Sequence, residues 1–196
     1  MKKIFLAALL IGVSQLANAN LVVNGSFENT AQPNGTWNVY NSIYGWSTSS
    51  GAGIEIRNNV EGTASNGVNF VELDSHNNSA MQQSIATTAG SLYELLFNYS
   101  PRVYQPASTN GITAFWNGTL LAEITGNGSA NNVWVTQHFF VTGTGNDVLQ
   151  FAATGTNDSY GGNIDYIQLN AVPLPAAAWL FGSAIGLFGF ARRSAI

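Results

Sequence analysis

The sequence predicts an all-β chain folded as a two-sheet jelly-roll sandwich. Between about residues 20 and 170, apolar and polar residues alternate in short runs, with no helical spacing of useful length. Turn-forming pairs punctuate those runs: Asn34-Gly35, Asn66-Gly67, Asn110-Gly111, Asn117-Gly118 and Gly161-Gly162. The chain carries 21 glycines in 196 residues and no cysteine, so sheet packing rather than a disulfide framework must hold it.

Ten strands follow in order. Leu21–Phe27 opens the series. Gly53–Arg57 sets Ile54 and Ile56 on one face and Glu55 and Arg57 on the other. Asn69–Asp74 and Ala80–Ala86 come next. Leu92–Tyr99 aligns Tyr93, Leu95, Phe97 and Tyr99, with Glu94 and Asn98 opposite. Gly111–Trp116 and Leu120–Thr125 flank Asn117-Gly118, whose residues tolerate the positive φ of a type I′ turn. Val133–Val141 groups Val133, Val135, Phe139 and Val141 against Thr136, His138 and Thr142. Val148–Thr154 and Asn163–Leu169 complete the set. Strands with one apolar face stack as two sheets, and ten of them with long connections suit a jelly roll. Trp46, Trp116 and Trp134 are read as core.

The two ends read differently from the body. Lys2-Lys3, the apolar run Ile4–Val13 and Ala17-Asn18-Ala19 form a signal peptide over 1–19, with signal peptidase cutting after Ala19. At 171–196, Val172-Pro173-Leu174-Pro175 precedes an apolar run, 176–191, and then Arg192-Arg193. As a helix that run would span about 24 Å, short of a ~30 Å hydrocarbon core. It reads as a transient membrane anchor on a processing tail, with an ordinary single-pass anchor as the alternative.

Four of the six basic residues (Lys2, Lys3, Arg192, Arg193) sit in those ends. The body between them, 20–170, sets two arginines, Arg57 and Arg102, against all ten acids, a formal −8. Nucleic acid is excluded as a partner, because phosphate backbones are bound by clustered cations. Without cysteine there is no thiolate metal site and no cysteine nucleophile.

The tail residues resemble a known signal. Val172-Pro173-Leu174-Pro175-Ala176-Ala177-Ala178-Trp179, closed by Arg192-Arg193, looks like the PEP-CTERM sorting signal of Gram-negative bacteria, with Leu174 where that signal has its name-giving Glu. The resemblance implies recognition by an exosortase and release to the cell surface or the exopolysaccharide matrix. The body carries a second resemblance. Asn24-Gly25-Ser26-Phe27-Glu28, Gly45-Trp46, Phe70-Val71-Glu72-Leu73-Asp74, Tyr93-Glu94-Leu95-Leu96-Phe97 and Asn163-Ile164-Asp165-Tyr166 follow one another as in galactose-binding-like jelly rolls. These include surface domains of plant cell-wall and PEP-CTERM proteins and some carbohydrate-binding modules.

That second resemblance implies a structural Ca²⁺ held by Glu28 and Asp165, tying the two ends of the domain together. The alternative is two solvated carboxylates at strand ends. Tyr166 stands where related families often carry a further Asp.

Three functions are compatible with the residues. Carbohydrate binding to extracellular polysaccharide would use exposed aromatics beside amides and cations, with Tyr40, Tyr44, Arg57, Arg102, Tyr104 and Tyr160 as the ligand-binding candidates. A structural or adhesive matrix role needs no small ligand. A glycan-active hydrolase would use Glu72 and Asp74, two residues apart on one strand and so on one face. His76 and His138, the two histidines, stand in no legible Ser-His-Asp arrangement, and His76 reads as a loop residue. Non-enzymatic carbohydrate binding at the surface or in the matrix is the reading these observations favour.

Overall fold

A computed structural model describes residues 19–173. The leader up to Asn18 and the tail from Leu174 onward, with Pro175, the 176–191 run, Arg192 and Arg193, lie outside the described residues. Asn20–Val172 forms one compact unit. Among the described residues no helix is long and apolar enough to cross a membrane.

The strands in chain order are β1 (Thr36–Tyr40), β2 (Ser42–Ile43), β3 (Trp46–Ser50), β4 (Ile54–Asn58), β5 (Asn69–Glu72) and β6 (Ala80–Ala86). They continue as β7 (Leu92–Ser100), β8 (Gly111–Trp116), β9 (Thr119–Ile124), β10 (Val135–Thr142), β11 (Asn146–Thr154) and β12 (Asn163–Ala171). They pair as two six-stranded sheets, β1-β4-β5-β12-β7-β10 and β2-β3-β6-β11-β8-β9. All the pairings are antiparallel, as in a jelly-roll sandwich. Only Asn41 separates β1 from β2, so a nearly continuous stretch closes one lateral edge by serving both sheets.

The interior follows the alternation. Tyr93, Leu95, Phe97 and Tyr99 all point inward and are buried, as are Ile54 and Ile56. An aromatic chain crosses the core: Phe27 lies 6.1 Å from Trp46, Trp46 lies 6.2 Å from Phe151, and Phe151 meets Phe97 edge-on at 4.8 Å. Offset and edge-on arrangements of this kind suit the ring quadrupoles. Trp46 and Trp116 are core, as expected. The β8–β9 hairpin turns at Asn117 (φ 51°) and Gly118 (φ 75°), the residues that the turn chemistry demanded.

The expected first strand, Leu21–Phe27, is not a strand. Asn24 and Phe27 both take left-handed φ (53° and 62°), which breaks the pleat. The segment still occupies a strand's place. β12 pairs with β5 only at Asn163 and Ile164, and beyond that point residues 20–25 run along its flank. Leu21 N donates to Leu169 O and Ile167 N to Gly25 O, both at 2.9 Å. A side chain at Gly25 would overlap the Ile167 carbonyl, so this approach requires glycine.

Three further departures have physical causes. β1, β2 and β3 form in a stretch outside the ten expected strands, because pairing with β4 and β6 supplies what local pattern lacks. Val133 and Val135 are more than half exposed, since β10 is an edge strand and only Phe139 and Val141 reach the core. Trp134 packs edge-on against Phe70 at 6.0 Å, on the outer face of the first sheet rather than between the sheets.

Gly25→Ala is expected to lower stability by about 1–3 kcal/mol, the usual cost of forcing atoms into a close contact. Urea unfolding of the full chain checks this; a midpoint equal to wild type would contradict the close approach.

Candidate functional site

The outer face of the first sheet is polar but not wet. Glu55, Arg57, Glu72, Asn163 and Asp165 alternate away from the core and are nevertheless buried. The segment 59–68 lies over this face. Asn98 Nδ2 donates to Ser65 Oγ (2.5 Å), Thr63 N to Asn132 Oδ1 (2.8 Å) and Trp134 Nε1 to Thr63 O (3.0 Å). Charges under such a cover must find partners, because burying an unpaired ion is very costly.

They do so around Glu72. Its Oε2 accepts from Arg57 Nη2 and, at 3.0 Å, from Arg102 Nη1, while its Oε1 accepts the Asp74 amide at 2.9 Å. Arg57 Nε donates to Glu55 Oε1 at 2.6 Å, and Arg102 Nη2 lies 3.6 Å from Glu61 Oε2. The Arg102 guanidinium stacks over the Tyr160 ring, 4.5 Å from its centroid. The loop that delivers Arg102 is held by Asn110, whose Oδ1 accepts the Arg102 amide and whose Nδ2 donates to three carbonyls, of Gln105, Pro106 and Gly126.

Above this cluster opens a cleft of about 250 Å³. Its floor is Glu55, Arg57 and Arg102; its rim includes Trp37, Glu61, His76 and Tyr160. Trp37, 49% exposed, stands edge-on to His76 at 6.5 Å, and Tyr160 is 41% exposed. Three buried side-chain atoms of cleft residues have no protein partner: Arg57 Nη1, Arg102 Nε and Ser75 Oγ. Unmade donors at a buried site cost free energy until an acceptor arrives. The cleft therefore offers two apolar rings and fixed N–H and O–H groups to a small, oxygen-rich ligand.

Of the six expected ligand-binding residues, Arg57, Arg102 and Tyr160 meet here. Tyr40 is half-buried against the core, its hydroxyl donating to Gln32 Oε1 at 2.9 Å. Tyr44 (65% exposed) and Tyr104 (74% exposed) lie away from the cleft. Trp37 and His76 join it only through tertiary structure: Trp37 needs β1 paired opposite Arg57, and His76 needs the turn after β5. Glu72 and Asp74, the paired carboxylates, are fully buried, and both oxygens of Glu72 are engaged by protein donors.

Glu28 and Asp165 converge on one turn. Glu28 Oε1 accepts the amides of Val68 (2.9 Å) and Asn69 (2.7 Å). Asp165 Oδ2 accepts those of Ser65 and Asn66, both at 2.7 Å, and its Oδ1 accepts its neighbour Tyr166 at 2.6 Å. Gly67, at φ 72°, turns the backbone between them, and a Cβ there would run into the Glu28 carboxyl. As a test of fit to Ca²⁺, the donor set is oxygen-rich: Thr30 Oγ1 and Asn69 Oδ1 are buried and unpartnered beside this turn. Ca²⁺ takes six to eight oxygens, so carbonyls and water would have to complete the shell. No group of three or more His, Asp or Glu suited to a metal occurs among the described residues.

Burial pushes the Glu72 carboxyl up to about 7, against the pull of Arg57 and Arg102. Burial likewise raises Asp165 to about 7, with the backbone amides opposing and the Glu28 charge adding to the rise. Asp74 is raised too, again by burial. Burial would also raise Asp147, but hydrogen bonds from Thr144, Thr87 and Asn117 bring it down to about 2.

No family model matches the chain. Over 164 residues it is 27% identical to a multifunctional-autoprocessing repeats-in-toxin protein of Vibrio cholerae serotype O1, covering 82% of this chain. It is also 27% identical over 152 residues to the toxin of the same description from Vibrio vulnificus, covering 76% of the chain. The chain spans about 3% of the length of either relative. Among solved structures it is similar to a family 35 carbohydrate-binding module from an environmental isolate, at 15% identity and a TM-score of 0.48, covering 71% of this chain and 97% of that one. It is similar to a family 16 carbohydrate-binding module, at 17% identity and a TM-score of 0.48, covering 76% and 99%. A family 35 module from Paenibacillus barcinonensis aligns at 19% identity with a TM-score of 0.42, covering 70% and 100%.

Two outcomes follow from the cluster. Arg57→Ala leaves Glu55 buried without its cation and Glu72 with Arg102 alone, and is expected to cost about 3–5 kcal/mol in chemical unfolding. The pH dependence has a definite sign. Glu72 and Asp165 bind protons more tightly folded than unfolded, so their contribution is complete below the ordinary carboxylate values of 4.5 and 3.8 and is lost as pH rises towards about 7. Asp147 acts oppositely, losing its contribution as pH falls from 3.8 towards about 2. Tm should peak between about pH 4 and 5 and decline towards neutrality. Glu72→Gln should flatten the decline, and a flat wild-type profile would contradict it.

Proposed function

We propose that the chain is a non-catalytic carbohydrate-binding protein that works at the cell surface or in an extracellular matrix, with the 250 Å³ cleft as its sugar site. One observation carries the reading. Exposed rings of Trp37 and Tyr160 border buried donors, Arg57 Nη1 and Arg102 Nε, that have no protein partner. A pyranose presents an apolar face to a ring and oxygen acceptors to such donors. The floor's cations are largely neutralised by Glu55, Glu61 and Glu72, and the body is at −8, so a neutral glycan suits the site better than a polyanionic one.

Export by the leader, sorting by an exosortase acting on the 172–193 tail and a structural Ca²⁺ at Glu28 and Asp165 belong to the same proposal. The leader and tail patterns support the first two, and the oxygen-rich surroundings of the 65–69 turn support the third. Deleting the exosortase gene of the source organism should leave the protein in the membrane fraction, and chelation should lower Tm. An unchanged Tm together with no calcium in the purified protein would remove the metal.

A glycan array read with the full chain tests the sugar site. Trp37→Ala and Tyr160→Ala should each weaken binding by about three- to tenfold, the loss of one stacked ring. A chain that binds no glycan while still assembling into matrix would instead indicate a structural or adhesive role.

A further inference from the structure

We propose a second, separate carbohydrate-binding site at the β-bulge of β12, with Tyr166 as its stacking platform. β12 gains one residue over β7 between Asp165 and Gln168, where three steps along β12 match two along β7. The bulge sends both Asp165 and Tyr166 to the outer face, with Asp165 beneath the 65–69 turn and Tyr166 open to solvent. Bulges of this kind commonly re-aim a side chain.

Tyr166 has φ 52°, a left-handed conformation that strains a residue other than glycine or asparagine. The ring is 39% exposed, and among the described residues its hydroxyl makes no hydrogen bond. Glycine or asparagine would hold the same bulge with less strain. An aromatic ring kept there at a conformational cost points to a contact outside the domain.

A cleft of about 300 Å³ lies beside the ring, in the size range of small-ligand sites. Ser26, Glu28, Asn29 and Gln168 line it with hydroxyl, carboxylate and amide groups. A ring edged by the Ser26 hydroxyl and the Asn29 and Gln168 amides fits a neutral, hydroxyl-rich sugar. Tyr160 and Tyr166 are six residues apart, at most about 20 Å along the chain, so one glycan chain of several residues could engage both sites.

The test is native affinity electrophoresis of the full chain in mild detergent, through gels holding soluble β-glucan, galactomannan or xylan. Tyr166→Asn keeps a residue tolerant of the left-handed φ and removes the ring. Its Tm should equal or exceed that of wild type, while retention on the gels that slow wild type falls by about three- to tenfold. Gln168→Ala should weaken retention in the same direction, and Trp37→Ala should leave residual retention that Tyr166→Asn then abolishes. Tyr166→Asn retained like wild type on every gel, or Trp37→Ala alone abolishing all retention, would overturn the second site and leave the first standing. Wild type retained on none of the gels would overturn both.

Discussion

Glu72 is the residue on which the outer half of this domain depends. It is fully buried, yet it is shared by two guanidinium groups and an amide. A carboxylate in that position is tolerable only because Arg57 and Arg102 are brought to it from different parts of the chain. Arg57 comes on a neighbouring strand, and Arg102 comes on a loop ordered by Asn110. The ion cluster thus couples the sheet to its covering loops. In this body of few cations, both arginines are spent on it.

The cover over the first sheet explains the rest of the functional surface. Segment 59–68 is held from below by Asp165, from the side by Glu28 and from across the sheet by Asn98, Asn132 and Trp134. Its turn presents successive amides to two carboxylates, an arrangement suited to negative charge. Because the cover occupies the middle of the face, the open surface is divided. One opening lies over the arginines near Trp37 and Tyr160, the other beside the bulge at Tyr166.

The strand order gives the domain a direction. β12 begins beside the cleft, at Asn163 just after Tyr160, and ends at Ala171, where the chain leaves towards the tail. Asn20 is bonded beside the second half of the same strand, through Ile167 O and Leu169 N. Entry and exit of the domain therefore lie together at the end of β12 remote from the cleft.

By itself the sequence determined the all-β class and most of the strands, because alternation and turn residues are local. Tyr93 to Tyr99 could face inward only one way, and Asn117-Gly118 could bend only into a tight hairpin. The low charge, the acidic body and the three cleft residues Arg57, Arg102 and Tyr160 were also legible, since residues so scarce or so placed stand out without coordinates. Tertiary structure decided what depends on neighbours distant in the chain. It made strands of 36–50 by pairing them, and it unmade one at 21–27 by bending Asn24 and Phe27 into left-handed backbone. It turned Glu55, Arg57 and Glu72 from an outward polar face into a buried ion cluster. It also separated Tyr44 and Tyr104 from the cleft and supplied Trp37 and His76. Burial is a property of what lies on top, and no local period records that a loop 59–68 will cross the sheet.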